Sequence, residues 1–172
     1  MSILKLKEAI RNYPDFPKEG ILFKDISPIF LDYNLHTYLI ERMSKCDFLK
    51  SAEAIIAIES RGFLLGSSLS IKLCKPLILA RKPGKLPGKL ISNTYELEYG
   101  SDSLSIQGES INKYRKFAIV DDLIATGGSI KCVSKIISSQ KKEILGACVA
   151  IELSKLNAKK DLDFPLYSEI SF

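Results

Sequence analysis

The fold is decided by one stretch of the chain, Phe117-Ala118-Ile119-Val120-Asp121-Asp122-Leu123-Ile124-Ala125-Thr126-Gly127-Gly128-Ser129. Its first four residues are apolar and predict a buried parallel strand over Phe117–Val120. Apolar residues then recur at helical spacing after Ser129, at Ile130, Val133 and Ile137. The stretch therefore predicts a strand, a short turn and a helix from Ser129 to about residue 140.

The turn between this strand and helix carries the residues of a binding site. Asp121 and Asp122 follow the strand, and the loop Ala125–Ser129 supplies two hydroxyls and two glycines. In open α/β sheets, ligands bind beyond the carboxyl ends of the strands. The loop offers backbone N–H groups and a helix N-terminus to a phosphate, whereas the two carboxylates suit hydroxyl groups. A ligand with a phosphate beside a diol, such as a ribose 5-phosphate, fits this pattern.

The same stretch resembles the phosphoribosyl diphosphate (PRPP) binding motif of the type I phosphoribosyltransferases. The alternative is a plain strand–helix turn that needs only glycine and a helix cap, but such a turn has no use for adjacent Asp121 and Asp122. Two other phosphate motifs are excluded. No Gly-x-Gly-x-x-Gly follows a predicted strand, and Gly84–Leu90 lacks the Ser or Thr of a P-loop.

Composition indicates one globular domain over residues 1–172, with 46% hydrophobic and 26% charged residues. The net charge of +5 suits an anionic small molecule. No nucleic-acid reading motif is evident, so we expect no nucleic-acid partner.

The cysteines and the hydropathy pattern bear on the compartment. Cys46, Cys74, Cys132 and Cys148 form no metal-ligand spacing, and we expect the last three to be small core residues. Free thiols indicate a reducing compartment. No secretory signal begins the sequence, and no run reaches the roughly 18 apolar residues of a membrane span. We therefore expect a cytoplasmic protein with no membrane contact.

Two further segments have the composition of an anion site. Glu59-Ser60-Arg61-Gly62 follows the apolar strand Ala54–Ile58 and precedes a helix, so it would face the same ligand as the main motif. Arg61 can grip a diphosphate through two N–H groups. The basic loop Arg81–Asn93 is long enough to be a lid. The alternatives are a surface turn and a solvated basic loop.

Further blocks narrow the resemblance to the adenine-specific members of the type I family. Ala125 stands where hypoxanthine-guanine enzymes carry an aspartate. Residues 14–28 resemble a base-binding hood, and Tyr95–Gly100 resembles the end of a catalytic loop. In the same family, Lys24 often appears as arginine, and Ser129 as threonine.

The resemblance implies an α/β fold with a mainly parallel, Rossmann-like central sheet flanked by helices. It implies one domain with a hood at residues 1–30, a flexible loop at 81–100 and the PRPP motif at 117–129. Elsewhere, the patterns predict helices at Ser2–Arg11, Leu35–Phe48 and Phe63–Cys74.

The resemblance also implies an activity: transfer of the phosphoribosyl group from PRPP to adenine, giving AMP and diphosphate, with Mg²⁺. Glu98 would manage the proton of the attacking base nitrogen. No residue is expected to bind the metal directly, because Mg²⁺ would arrive through PRPP oxygens and water. The implied binding residues are, for the ribose phosphate, Asp121, Asp122, Ala125, Thr126, Gly127, Gly128 and Ser129; for the diphosphate and lid, Glu59, Ser60, Arg61, Arg81, Lys82, Lys85 and Tyr99; and for adenine, Leu22, Phe23, Lys24 and Leu153.

Two rival functions remain open at this stage. One is another base, such as orotate, guanine or xanthine, and the hood and Leu97–Gly100 argue against it. The other is a PRPP-responsive regulator of transcription, which usually carries a separate DNA-binding domain. The family resemblance further suggests a homodimer.

Overall fold

The computed structural model describes residues 1–96 and 101–172. The helices are α1 (Ile3–Ala9), α2 (Ser27–Leu31), α3 (Tyr33–Met43), α4 (Asp47–Ser51), α5 (Gly62–Leu73), α6 (Gly108–Ile111) and α7 (Gly128–Ser139). The strands are β1 (Arg11–Tyr13), β2 (Phe23–Asp25), β3 (Ala54–Ile58), β4 (Leu77–Ala80), β5 (Leu90–Glu96), β6 (Ser101–Gln107), β7 (Lys116–Ile124), β8 (Glu143–Glu152) and β9 (Leu166–Ser171). Two short 3₁₀ turns, Ser154–Leu156 and Ala158–Asp161, precede β9.

Five strands form the central sheet in the order β4-β3-β7-β8-β9, and every neighbouring pair is parallel. Two antiparallel pairs stand outside it: β1 with β2 in the hood, and β5 with β6 in a hairpin. The predicted α/β class with a parallel sheet is therefore confirmed. The strand Ala54–Ile58 has the predicted bounds.

The alternation of side chains along β7 builds a core on each face of the sheet. Phe117 and Ile119 pack with α7 and the hairpin, whereas Ala118 and Val120 pack with helices α1 to α5. Both faces of the strand are covered, which explains why its sequence reads as continuously apolar. Helix α7 buries Ile130, Cys132, Val133, Ile136 and Ile137 against this sheet.

Several predicted boundaries are wrong for local reasons. The helix expected over Leu35–Phe48 is two helices, because the chain turns extended at Cys46 before α4 begins. Helix α3 also starts earlier, at Tyr33, since the Asp32 carboxylate accepts hydrogen bonds from the N–H groups of Asn34 and Leu35. Strand β5 starts at Leu90, so the loop expected over Arg81–Asn93 is shorter.

The expected core position of Cys74 is also wrong. Cys74 ends α5 in a left-handed conformation with φ +52° and is exposed. Cys132 and Cys148 are buried as expected, and Cys46 is buried with them. Among the described residues, no helix is both long and apolar enough to cross a membrane.

Candidate active site

The sheet reverses its strand order between β3 and β7. The chain continues from β3 to β4 on one side, and from β7 to β8 on the other. The carboxyl ends of two such strands flank a crevice, which is where open α/β sheets bind ligands. Both predicted anion turns, Glu59–Gly62 and Ala125–Ser129, follow these two strands.

Strand β7 is longer than its apolar run. Its pairing with β3 ends at Ala57 and Val120, but its pairing with β8 continues to Ile124 and Glu152. Asp121 and Asp122 therefore lie inside the strand, and the expectation that they follow it is wrong. The extra length places both acids beside the turn after β3, where the sheet edge opens.

Gly62 lets this turn approach the acids closely. A Cβ atom at Gly62 would lie 2.7 Å from Oδ1 of Asp121 and 3.1 Å from its Cα atom. No ordinary side chain fits at those distances. Glycine at the start of α5 is therefore a packing requirement of the site.

The two acids are buried in an environment that disfavours their charged forms. Asp121 is 7% exposed and Asp122 is 5% exposed. Burial raises the pKa of Asp121 well above its usual value, and neighbouring Asp122 raises it further. Burial also raises the pKa of Asp122, while the Arg61 guanidinium opposes the shift. The N–H of Asp122 donates to Oδ1 of Asp121 at 2.8 Å, so this side chain already has one donor.

Arg61 connects the acids to the hood. Its Nε lies 2.8 Å from Oδ2 of Asp122, but this oxygen has no aligned hydrogen bond, so the contact is an ion pair alone. The guanidinium carbon lies 4.7 Å from the centre of the Phe23 ring. One terminal nitrogen donates to the Lys24 carbonyl at 3.4 Å. The side chain is 32% exposed, so it has room to turn toward a ligand.

The loop after β7 has the backbone of an anion cradle. Gly127 caps α7 with φ +81°, a conformation that favours glycine. The first N–H groups of this twelve-residue helix have no partner within the helix. Thr126 is exposed and Ser129 is half-buried. A cavity of about 490 Å³ borders Thr126, Gly128 and Lys131.

The carboxylate of Glu59 ties the turn after β3 to the hairpin. Its Oε2 accepts from Nε of Arg81 at 3.0 Å and from the N–H of Lys82 at 3.0 Å. Arg81 also pairs through its backbone with Ser105 of β6. The two expected lid residues thus lie at the root of the hairpin. Ser60 is exposed in the turn, and its peptide bond with Glu59 is cis.

The side-chain ammonium of Lys82 and the residue Lys85 lie further out than the hairpin root. Nζ of Lys82 lies 2.7 Å from Oδ2 of Asp102, on the arm β6. Lys85 is exposed, and its carbonyl accepts from Arg81 at 3.3 Å. Glu98 and Tyr99 lie outside the described residues, so their placement stays a prediction.

The expected adenine residues lie around the hood and the end of β8. Phe23 is half-buried, and the Phe16 ring meets it edge-on at 5.1 Å. Leu22 is half-exposed. Leu153 directly follows β8, and its N–H donates to the Ile124 carbonyl at 3.0 Å, so it lies at the end of β7. The Lys24 side chain does not face the crevice residues, because Nζ donates to Asn12 at 2.7 Å.

Sequence reasoning missed three residues that support this site. Phe172 lies under the Lys24 ammonium, Asn12 accepts its hydrogen bond, and Asp102 holds Lys82. None of them stands in a motif, and each meets its partner only through the tertiary fold. No signal in one sequence marks them.

A family model described as "Phosphoribosyl transferase domain" matches residues 37–170. An adenine phosphoribosyltransferase from a strain of Prochlorococcus marinus is 60% identical over 167 residues, covering 97% of both chains. The chain belongs to the adenine phosphoribosyltransferase family. This family membership confirms the resemblance that the sequence motifs indicated.

Solved structures of the adenine phosphoribosyltransferase family share the fold over the full chain. The enzyme of Thermoanaerobacter pseudethanolicus ATCC 33223 is 40% identical with a TM-score of 0.93, covering 99% of this chain and 100% of its own. The enzyme of Saccharomyces cerevisiae, solved with an imino-altritol bisphosphate and adenine, is 36% identical with a TM-score of 0.87, covering 97% of both chains.

Proposed function

We propose that this protein transfers the 5-phosphoribosyl group of PRPP to adenine, giving AMP and diphosphate, and so acts in purine salvage. The observation that carries the proposal is the crevice between β3 and β7. The acid pair of β7 and the N-terminus of helix α7 lie on one side of this crevice. The turn that carries Arg61 lies on the other side. These three groups match the diol, the phosphate and the diphosphate of one PRPP molecule.

The ribose 5-phosphate would be held by the turn after β7. The backbone of Ala125–Ser129 and the start of α7 donate to its phosphate. Asp121 and Asp122 accept from the ribose hydroxyls. Burial raises the pKa values of both acids, and hydroxyl groups that donate to the carboxylates would stabilise their charged forms in place of water. Holding the ribose still removes much of the entropic part of the barrier.

The diphosphate would be held by the turn after β3 and the root of the hairpin. Cleavage of the anomeric C–O bond leaves its electron pair on the diphosphate, and the ribose becomes oxocarbenium-like. Arg61, Arg81, Lys82 and Lys85 would neutralise the developing charge. Arg61 has only to turn from Asp122 toward the crevice to do so.

Adenine would lie between Phe23 and Leu153. The backbone groups of Leu22 and Lys24 would read its edge, since an amide distinguishes an amino group from an oxo group. An unpaired buried backbone group costs about 1–3 kcal/mol, or roughly one to two decades of selectivity. The yeast relative was solved with adenine, which supports adenine as the base.

Glu98 would accept the proton that the attacking adenine nitrogen loses as it bonds to the anomeric carbon. The test is Glu98→Gln, compared with Glu109→Gln, an exposed glutamate on α6. We expect Glu98→Gln to lower kcat by about 10²-fold or more with little change in PRPP affinity. Equal kcat in both variants would remove Glu98 from the mechanism.

Mg²⁺ would enter with PRPP. Among residues 1–96 and 101–172, no cluster of three or more His, Cys, Asp or Glu is arranged to hold a metal ion. The acid pair nonetheless fits a hydrated ion, because Mg²⁺ commonly meets one or two carboxylates through water while it binds substrate phosphates. Bound there, the ion would neutralise diphosphate charge. Asp121 and Asp122 would hold its water shell.

We also propose a cytoplasmic homodimer. Its support is an apolar groove of about 310 Å³ between α3 and α5, which includes the exposed residues Tyr33 and Ile71. Sedimentation would test the dimer: a mass near 38 kDa is expected, about twice the 19.2 kDa of one chain. Cell fractionation would test the compartment.

The deciding experiment is AMP formation from PRPP against a panel of adenine, hypoxanthine, guanine, xanthine and orotate. We expect turnover with adenine alone, and loss of turnover when Mg²⁺ is chelated. Turnover of guanine without adenine would refute the base assignment. Tight PRPP binding without any turnover would favour a regulator.

A further inference from the structure

The main chain of Phe172 forms hydrogen bonds with both neighbours of Leu153, a residue of the proposed base site. Its N–H donates to the Glu152 carbonyl at 2.9 Å. Its own carbonyl accepts from the N–H of Ser154 at 2.9 Å and from the Ser154 hydroxyl at 2.7 Å. Leu153 lies between these two partners. Phe172 therefore fixes the short segment that contains Leu153.

The aromatic ring of Phe172 contacts the ammonium groups of two lysines. Nζ of Lys24 lies 3.9 Å from the ring centre, and Nζ of Lys7 lies 4.6 Å from it. A cation over an aromatic face is attracted by the negative face of the ring. The Lys7 ammonium is also tied to this strand end, because it donates to the Ser171 carbonyl at 2.8 Å.

The Lys24 ammonium depends on this ring. Lys24 is only 8% exposed, and burial lowers the pKa of its ammonium, with Lys7 lowering it further. Within the described residues, no carboxylate lies at ion-pair distance from Lys24. Its other polar partner is Oδ1 of Asn12 at 2.7 Å. A buried cation with two partners loses much of its support when one is removed.

Phe172 thus contacts both of the segments that are proposed to enclose adenine. The ring holds Lys24, which directly follows Phe23 in β2, while the main chain holds Leu153. We propose that Phe172 is a positioning residue for adenine, setting the separation between the Phe23–Lys24 segment and Leu153. This inference rests on the proposed function, because it assumes that adenine lies between these two walls.

The consequence is specific to one substrate. A loosened Phe23–Lys24 segment would misplace the amides that read the base, while the PRPP groups on β7 and the turn after β3 stay in place. A base whose polar edge is left poorly paired binds less tightly. Loss of the ring should therefore raise KM for adenine and leave KM for PRPP and kcat nearly unchanged.

The test compares Phe172→Leu, which keeps apolar bulk but removes the ring, with Phe172→Tyr, which keeps the ring. We expect Phe172→Leu to raise KM for adenine about tenfold, with less than about a twofold change in kcat and KM for PRPP, and Phe172→Tyr to resemble wild type. Lys24→Met should raise KM for adenine similarly. The double variant Lys24→Met/Phe172→Leu should be no worse than either single variant, because both remove one contact.

Three outcomes would overturn the inference. They are an unchanged KM for adenine in folded Phe172→Leu, a parallel rise in both KM values, and an additive double variant. Wild-type turnover of adenine is measured first. Its absence would refute the proposed function, whereas turnover without the KM split would refute the role of Phe172 alone.

Discussion

Arg61 and Asp122 form an ion pair across the crevice, with Nε 2.8 Å from Oδ2. The pair joins the group proposed to hold the diphosphate to a group proposed to hold the ribose. Under the proposed assignment, PRPP binding would redirect Arg61, and the ribose hydroxyls would replace it as partners of Asp122. In the free protein, Arg61 balances the charge of this buried acid.

Arg61→Lys should weaken PRPP binding although the substitution keeps the positive charge. Lysine cannot donate in parallel to a diphosphate, nor lie flat on the Phe23 ring. We expect kcat/KM for PRPP to fall by about 10²-fold, measured by steady-state kinetics. Arg115→Lys, at a position outside the crevice, is the matched control and should match wild type. A similar kcat/KM in both variants would contradict the role of Arg61.

Gly62→Ala should destabilise the fold although alanine favours helices. The substitution gains about 1 kcal/mol of helix propensity, but overpacking costs about 1–3 kcal/mol, and the new Cβ would meet Oδ1 of Asp121 at 2.7 Å. We expect a lower free energy of unfolding in urea and weaker PRPP binding. In Gly108→Ala, the control, the Cβ would meet no atom nearer than 3.6 Å. Equal stability of the two variants would refute the close approach.

Asp121→Asn should stabilise the free protein at neutral pH while abolishing efficient turnover. The folded state raises the pKa of Asp121, so this group favours folding below its unfolded value of 3.8 and loses that contribution as the pH rises through the raised value. We expect the variant to be more stable than wild type at pH 7, and this gain to shrink as the pH falls toward 4. Urea unfolding at several pH values measures this. A gain that grows on acidification would reverse the sign of the shift.

Glu59→Gln should weaken PRPP binding with little effect on stability. The carboxylate holds Arg81 and Lys82 at the hairpin root, and Arg81 is 31% exposed. Glu59 is only 13% exposed, but glutamine keeps a side-chain oxygen that can accept from the N–H of Lys82, so the free energy of unfolding should change by about 1 kcal/mol or less. We expect KM for PRPP to rise about threefold to tenfold as the root loosens. The control is Glu109→Gln. If both variants have the same KM for PRPP, Glu59 does not support PRPP binding through the hairpin root.

The sequence predicted those parts of the site whose residues are adjacent in the chain. The strand Ala54–Ile58, its arginine turn and the loop before α7 are local patterns, and the fold class built on them is confirmed. The position of Asp121 and Asp122 inside β7 was missed because β8 extends beyond β3, and a single strand does not report the length of its neighbours. The Lys24–Phe172 contact was missed since its residues are far apart in the chain and carry no motif.

If Phe172 positions the base as proposed, the two walls of the base site are joined by residues from opposite ends of the described fold, Lys24 and Phe172. That contact forms only when both regions have packed together, whereas the phosphate loop is a local strand, turn and helix. A partly folded chain would therefore hold a sugar phosphate before it could discriminate between bases.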